Sequence, residues 1–360
     1  MPFDPRIPYD NLPSIPSTAV LETTPVLKRC LAATRALGEL KGAGGLIPDQ
    51  TILINAIPLQ EAKLSSEIEN IVTTQDELFR AALDESRPTD PQTKEVLRYR
   101  TALRHGFEKV TAGKFSVMLL EDICRELRNE KVSFRAEGEQ VYIGNRLTGT
   151  ITYTPPQGGK GLRDKLDELD RFLRSADGPD PLIRMAAAHY QIEAIHPFID
   201  GNGRTGRIFN ILYLIHGGLL NIPVLYLSRF IIQHKMDYYR LLRGVTENGD
   251  WENWLLFMLQ GVEETALWTT ARIRAIRDLF EKTTEHCRRE LPKIYSKELV
   301  ELIFRQPYCK IPFVVEAGIA KRQTAAVYLQ RLESIGLLKS EKHGRDVIYT
   351  NPELIRVLTE

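Results

Sequence analysis

Apolar residues recur at helical spacing over most of this chain. Across residues 26–40 they fall three and four apart, which predicts an amphipathic helix closed by Gly42, Gly44 and Gly45. Residues 59–83 read as one or two further helices, ended by Ser86, Pro88 and Pro91, and residues 95–129 are again helical in pattern. Then the period changes. Residues 132–153 alternate and are rich in β-branched and aromatic side chains, with breaks at Gly138 and at 145–148, so a β-hairpin is expected. A loop holding Pro155, Pro156, Gly158 and Gly159 follows. Helical spacing resumes over 162–174, 181–194, 208–215, 228–242 and 251–275. Past Glu290 come three short helical stretches (299–304, 311–317, 322–335), with a turn at Gly318. Two short strands (337–340, 346–350) flank a His343-Gly344-Arg345 turn. Helix, turn, helix and strand pair is the winged helix-turn-helix order. The first sixteen residues hold Pro2, Pro5, Pro8, Pro13 and Pro16, so an extended arm lying on a surface is expected. The fold class is therefore mainly α with one hairpin. We divide the chain into 1–93 (arm and helical region), 94–290 (core and connecting helix) and 291–360 (winged helix).

The 360 residues are 43% apolar and 26% charged, which excludes a disordered, collagenous or wholly coiled-coil chain. Lys+Arg 48 against Asp+Glu 47 leaves a net charge of +1, so the overall balance calls for neither nucleic acid nor a membrane surface. The most apolar stretch, 208–227, is broken by Asn210, His216, Gly217, Gly218, Asn221 and Pro223. It reads as a buried helix and turn, with no membrane partner. Cys30, Cys124, Cys287 and Cys309 form no Cys-x-x-Cys pair. This argues against a disulfide framework or zinc ribbon and fits a reducing cytoplasm. Residues 1–10 have no signal-peptide pattern.

The densest polar cluster lies between two apolar helical stretches: His196-Pro197-Phe198-Ile199-Asp200-Gly201-Asn202-Gly203-Arg204-Thr205-Gly206-Arg207. Pro197 stops the preceding helix. Gly201 and Gly203 permit a tight turn whose successive N–H groups form a concave anion site. The loop opens into a helix N-terminus, which adds partial positive charge. Arg204 and Arg207, three residues apart, suit different oxygens of a polyphosphate. Asp200 is a hard oxygen ligand suited to Mg²⁺ bridging phosphates. His196, with an ordinary pKa near ~6.5, can take a proton at neutral pH. Base, metal ligand, nest and two arginines describe a phosphoryl-type transfer site. The Gly201-x-Gly203-x-x-Gly206 spacing is not a dinucleotide fingerprint, because a helix rather than a strand precedes it, and no Gly-Lys-Ser/Thr follows to make a P-loop.

These twelve residues match every fixed position of His-Pro-Phe-x-Asp-Gly-Asn-Gly-Arg-x-x-Arg, so the chain resembles Fic-domain proteins. Val141-Tyr142-Ile143-Gly144 with Tyr153-Thr154-Pro155-Pro156 resembles the family's substrate-docking flap. Tyr238-Tyr239 with Gly249-Asp250-Trp251 resembles the end of its catalytic core, and the Pro-rich arm and following helices resemble the N-terminal region of longer members. The resemblance implies AMP transfer from ATP to a Tyr, Ser or Thr hydroxyl of a protein, with release of pyrophosphate. By position, His196 would deprotonate the acceptor and Phe198 would pin the loop. Asp200 would hold Mg²⁺ on the α- and β-phosphates. Gly201, Asn202 and Gly203, continuing through Thr205 and Gly206, would cradle the phosphates. Arg204 and Arg207 would neutralise charge, Arg207 towards the γ-phosphate. Tyr238 and Tyr239 are candidates to bracket adenine, although aromatics at helical spacing are commonly core.

Ser65-x-x-x-Glu69-Asn70 puts Ser65 and Glu69 one helical turn apart. It matches the family's inhibitory motif, which implies that Glu69 pairs with Arg207 and occupies the guanidinium that the γ-phosphate needs. Glu67 lacks that spacing. A hairpin edge with unpaired backbone can dock an acceptor segment as an added strand, and Val141, Tyr142, Ile143 and Gly144 are the candidate edge. In the C-terminal module, residues 310–345 carry seven Lys/Arg against three acids, a local charge of +4. Lys321, Arg322, Gln323 and Thr324 head the third helix, while Lys342, His343 and Arg345 lie on the wing, so DNA is one expected partner. Protein contact or homodimerisation is the other use of such a module. The competing function is a DNA-binding regulator with the core as a nucleotide sensor. Removal of AMP and transfer of another nucleotide or of phosphocholine also remain open.

Overall fold

The computed structural model describes residues 3–47, 51–83, 89–145, 148–305, 307–343 and 346–359. The arm leads into α1 (Thr18–Leu21) and α2 (Thr24–Ala43), followed by a 3-10 turn (Gly44–Leu46), α3 (Thr51–Ile68) and α4 (Gln75–Leu83). The core comprises α5 (Pro91–Thr111), α6 (Leu119–Arg128), the strands β1 (Ile143–Asn145) and β2 (Thr150–Tyr153), then α7 (Lys160–Arg174), α8 (Pro181–Ile195), α9 (Asn202–His216), α10 (Leu227–Gln233) and α11 (Lys235–Asn248). A long α12 (Trp251–Glu290) leads to α13 (Lys297–Arg305), β3 (Tyr308–Cys309), α14 (Ile311–Glu316), α15 (Arg322–Ser334), β4 (Lys339–His343), β5 (Asp346–Thr350) and α16 (Pro352–Thr359).

The two helices flanking the polar loop, α8 and α9, are apolar nearly all round, and that pattern requires a central position. Both are buried along almost their whole length. They pack on each other, with α5 and α6 against α9 and with α7 and α12 against α8. Gly106 lets α5 approach α9, since a Cβ there would sit 2.3 Å from Leu212 Cδ1. Helix starts follow local chemistry: Asp90 accepts from Thr93 N at 2.9 Å ahead of Pro91, and Asp180 accepts from Leu182 N at 2.8 Å ahead of Pro181. Helix α3 packs on α5, α10 and α13 and touches α9, so the Ser65-Glu69 face lies beside the loop helix.

The arm is not extended throughout, since it turns at residues 5–7 and 10–11, and it lies on the hairpin side of the core. Tyr9 N donates to Thr154 O (3.0 Å), Thr154 Oγ1 donates to Pro5 O (2.7 Å), and Phe3 stacks on Tyr153. In the C-terminal module the strands form one antiparallel sheet in the order β3-β5-β4.

Several expectations change. Helix α3 starts at Thr51, eight residues ahead of the 59–83 stretch, and runs through Pro58. A break at Gly113, with φ +76°, divides the 95–129 stretch. His234 divides 228–242 into α10 and α11. The hairpin is shorter than the alternation suggested, because residues 132–142 form a loop held down by Phe134 and Arg135. Helix α12 extends to Glu290 because apolar spacing continues through Ile276, Phe280 and Cys287, all buried. Sequence reading missed β3 and α16. Pro2, Ser86, Pro88, residues 146–147, Gly344 and Arg345 lie outside the described residues.

Candidate active site

Helix α8 ends at Ile195, and His196 takes the left-handed conformation (φ 49°, ψ 62°) that turns the chain out. A non-glycine residue there needs outside support. Arg135, wholly buried, supplies it. Its Nε donates to His196 O (2.9 Å), and its Nη2 donates to Ile195 O (3.1 Å) and Pro156 O (2.7 Å). Arg135 N also donates to Pro197 O at 2.9 Å. His196 Nδ1 lies 3.3 Å from Glu193 O. A carbonyl only accepts, so Nδ1 carries the ring proton and Nε2 is the basic nitrogen. Burial pushes the imidazole pKa down to about 4, so the ring is neutral at pH 7.

The rest of the loop is fixed from within. Phe198 is buried against Phe134, ring centres 5.3 Å apart. The Asn202 side chain is used twice: its Oδ1 accepts from Phe198 N and its Nδ2 donates to Phe198 O, both at 2.8 Å. It therefore clamps the loop rather than pointing to a ligand. Gly201, at φ 85°, makes the turn into α9, and Thr205 N donates to Gly201 O at 3.0 Å. Thr205 is buried in the helix with no partner for its hydroxyl among the described residues. Gly206 faces α8, where a Cβ would meet Glu193 Oε1 at 3.2 Å and His189 Nδ1 at 3.5 Å. Burial raises the Glu193 carboxyl to about 7 against the pull of Arg207, and burial together with Arg207 lowers His189 to about 3.

Each charged side chain of the loop meets a counter-charge from elsewhere in the fold. Arg207 is 1% exposed and its Nη2 lies 2.9 Å from Glu69 Oε1. Its Nε donates to Ser65 Oγ (2.8 Å) and its Nη2 to Ser65 O (2.9 Å). Glu69 sits directly over the first turn of α9, because a Cβ on Gly203 would stand 2.4 Å from its Oε1. Asn70 follows in the left-handed region, φ 62°, and turns the chain away after α3. Arg204 is buried, with Nη1 2.7 Å from Glu95 Oε1 on α5, at an angle poor for a hydrogen bond. The sequence reading aimed Arg204 at phosphate, whereas in the fold it points into the interior. Asp200 Oδ1 accepts from Gly201 N at 2.7 Å, and its Oδ2 pairs with Arg128 Nη1 at the end of α6.

Among the described residues no group of three or more His, Cys, Asp or Glu gathers as a metal cage. Asp200 alone, 57% exposed, fits the one-carboxylate habit of Mg²⁺ that takes its other ligands from phosphates and water. Tyr238 is core: it is 2% exposed and hydrogen-bonded to His189 Nε2 at 2.9 Å, so it offers no open face to a base. Tyr239 is 44% exposed and close enough to Glu69 and Arg207 to feel both charges. Of the candidate edge only Ile143, half-buried, and Gly144, exposed, lie on β1, while Val141, half-buried, and Tyr142, 61% exposed, belong to the loop before it. Strand β1 pairs only with β2 among the described residues, which leaves its outer edge free. Sequence reading missed Arg128, Glu95, Arg135 and Glu193. Arg135 alone left a trace, as a charge inside an alternating apolar stretch.

Three family models match the chain: Fic/DOC family N-terminal over residues 27–108, Fic/DOC family over 114–214, and the C-terminal domain of protein adenylyltransferase SoFic-like over 279–354. The chain is 27% identical over 168 residues to protein adenylyltransferase Fic of Drosophila willistoni, covering 45% of this chain and 31% of that one. It is 31% identical over 137 residues to the protein of the same name from Drosophila melanogaster, covering 37% and 25%. The match thus spans a third or less of those curated relatives. In fold it is similar to a Fic family protein from Desulfovibrio desulfuricans G20 (TM-score 0.56, 19% identity, 91% of this chain and 96% of that one). It is also similar to a Fic domain containing signaling protein from Bacteroides thetaiotaomicron (TM-score 0.55, 15% identity, 69% and 97%). With the family's N-terminal and core models matching neighbouring stretches, and its signature loop held between α8 and α9, this chain belongs to the Fic/DOC family.

Proposed function

We propose that the chain transfers AMP from ATP to a Tyr, Ser or Thr hydroxyl of a protein, itself included, and that Glu69 holds it in check. The observation that carries this reading is the pairing of a neutral His196, its Nδ1 held at Glu193 O, with a loop whose Arg207 is closed by Glu69. His196 Nε2 takes the acceptor's proton, and the acceptor oxygen bonds to the α-phosphorus. The α–β bridging bond breaks, with its electron pair leaving on pyrophosphate. The first-turn N–H groups of α9, held in place by the Asn202 clamp, receive phosphate oxygens. Mg²⁺ on Asp200 supplies charge neutralisation when bound. Arg207 does the same for the γ-phosphate once Glu69 has left. Positioning and electrostatics then account for catalysis without a covalent enzyme intermediate.

The division of labour is the one proposed from sequence: 1–93 carries the brake, 94–290 the chemistry and 291–360 a winged helix. Exposed Lys321, Arg322, Gln323 and Thr324 at the head of α15 support a DNA contact, which a salt-dependent gel shift with random duplex tests. Free, buried cysteines suit a reducing cytoplasm. Among the described residues no helix is long and apolar enough to cross a membrane. The deciding experiment incubates wild type, Glu69→Gly and His196→Ala with labelled Mg²⁺-ATP, followed by intact-mass analysis. One added AMP on Glu69→Gly and none on His196→Ala is expected. Equal labelling of all three would overturn the base assignment, and a different added mass would overturn the donor.

A further inference from the structure

The three charged side chains of the loop are neutralised unequally. Arg204 and Arg207 are buried guanidiniums, whereas the Asp200–Arg128 pair lies in the open, with side chains 57% and 30% exposed. Arg128 serves two carboxylates at once: Nη1 meets Asp200 Oδ2, while Nε lies 2.9 Å from Glu130 Oε1. Asn129 between them is left-handed, φ 52°, which brings Glu130 back beside the guanidinium. The Arg128 stem lies close to Gly201, 3.6 Å from where a Cβ would stand, so the side chain rests on the loop itself. Gly201 N donates to Asp200 Oδ1, and the other carboxylate oxygen thus already pairs with a cation.

We propose that Arg128 is an internal cation that competes with divalent metal for Asp200 and so sets how much metal the site requires. Metal gains the carboxylate only when the guanidinium gives up Oδ2 and falls back on Glu130, which keeps it paired and makes the exchange easy. The proposal rests on the nucleotide-site reading above. It assigns Arg128 as a positioning residue, acting through Asp200 and not on the substrate.

The test uses the full chain, Mn²⁺ as the metal probe and ADP as the nucleotide, because ADP lacks the γ-phosphate that Glu69 obstructs. Free Mn²⁺ is read by electron paramagnetic resonance in wild type, Arg128→Gln, Arg125→Gln and Asp200→Asn. Exposed ion pairs are weak, so Arg128→Gln should lower the Mn²⁺ concentration for half-occupancy by about two- to fivefold. Arg125→Gln removes the same charge from the same helix, but Arg125 pairs with Asp122 and Glu121, so no shift is expected. Asp200→Asn should abolish the nucleotide-dependent site. Unchanged or weaker Mn²⁺ binding in Arg128→Gln would overturn the proposal, and so would an equal gain in Arg125→Gln. A fall in metal-free ADP affinity in Arg128→Gln would show Arg128 to be a phosphate ligand instead. If no variant and no wild type binds Mn²⁺-ADP, the nucleotide-site reading itself fails, an outcome distinct from binding that ignores Arg128.

Discussion

Replacing Glu69 by glycine should raise AMP transfer and lower stability together, because one contact underlies both. Arg207 is 1% exposed and Glu69 35% exposed, so the pair is half in water. Breaking a fully buried pair costs ~3–5 kcal/mol, and an exposed one contributes about 0–1 kcal/mol. An intermediate ~1.5–3 kcal/mol follows for this geometry. Ser65 keeps two hydrogen bonds to the guanidinium, which prevents a fully orphaned charge. Glu69 lies just past the end of α3, so glycine there adds little helix penalty. At about 1.4 kcal/mol per tenfold change, opening the Arg207 site by that free energy corresponds to a ~10–100-fold gain in self-labelling. Urea unfolding should show a matching loss of about 1.5–3 kcal/mol, and Glu69→Gln, which keeps the shape without the charge, should fall between in both assays. A variant that loses the stability yet labels within twofold of wild type would refute the brake. It would leave the Arg207–Glu69 pair as a structural contact only.

Further predictions follow from other contacts. The Glu69→Gly transfer rate should hold within about twofold between pH 7.5 and 5.5, since the His196 pKa is depressed to about 4 and its base form persists on acidification. An ordinary imidazole near ~6.5 would lose about tenfold over that range, and such a loss would show the depressed value to be wrong. Asn202→Ala removes both hydrogen bonds to Phe198 and should cost ~2 kcal/mol in urea unfolding and weaken ADP binding; intact ADP affinity would contradict its role as the loop clamp. Gly144→Ala would set a Cβ 2.0 Å from Thr150 O and force the two hairpin strands apart. Labelling of an acceptor peptide should drop at least fivefold by the cost of that displacement, while ADP affinity measured by calorimetry stays the same. A parallel fall in ADP affinity would tie the hairpin to nucleotide rather than acceptor.

The local parts of this protein were readable from the residues alone. Helical spacing gave the class, and a proline and two glycines announced a sharp loop entering a helix. The loop's composition suggested the phosphate chemistry proposed above, and helix, turn, helix and strand pair marked the last module. Each of these depends on neighbours a few positions apart, where backbone preference and side-chain period act directly. The partners of the charges were not readable. Arg128 lies 72 positions from Asp200, and only the packing of α6 and α5 against α9 brings Arg128 and Glu95 to the loop. The same packing turned Arg204 inward, the seating of α11 against α8 and α12 made Tyr238 core, and the loop at 132–142 put a buried guanidinium under His196. The pairing of Glu69 with Arg207 came from resemblance to a family, because nothing in a helical Ser-x-x-x-Glu reveals what lies 138 positions further on. Sequence period fixes which face of a helix is buried, but only the assembled core decides which ionised groups lose their water together, and those groups must then find each other.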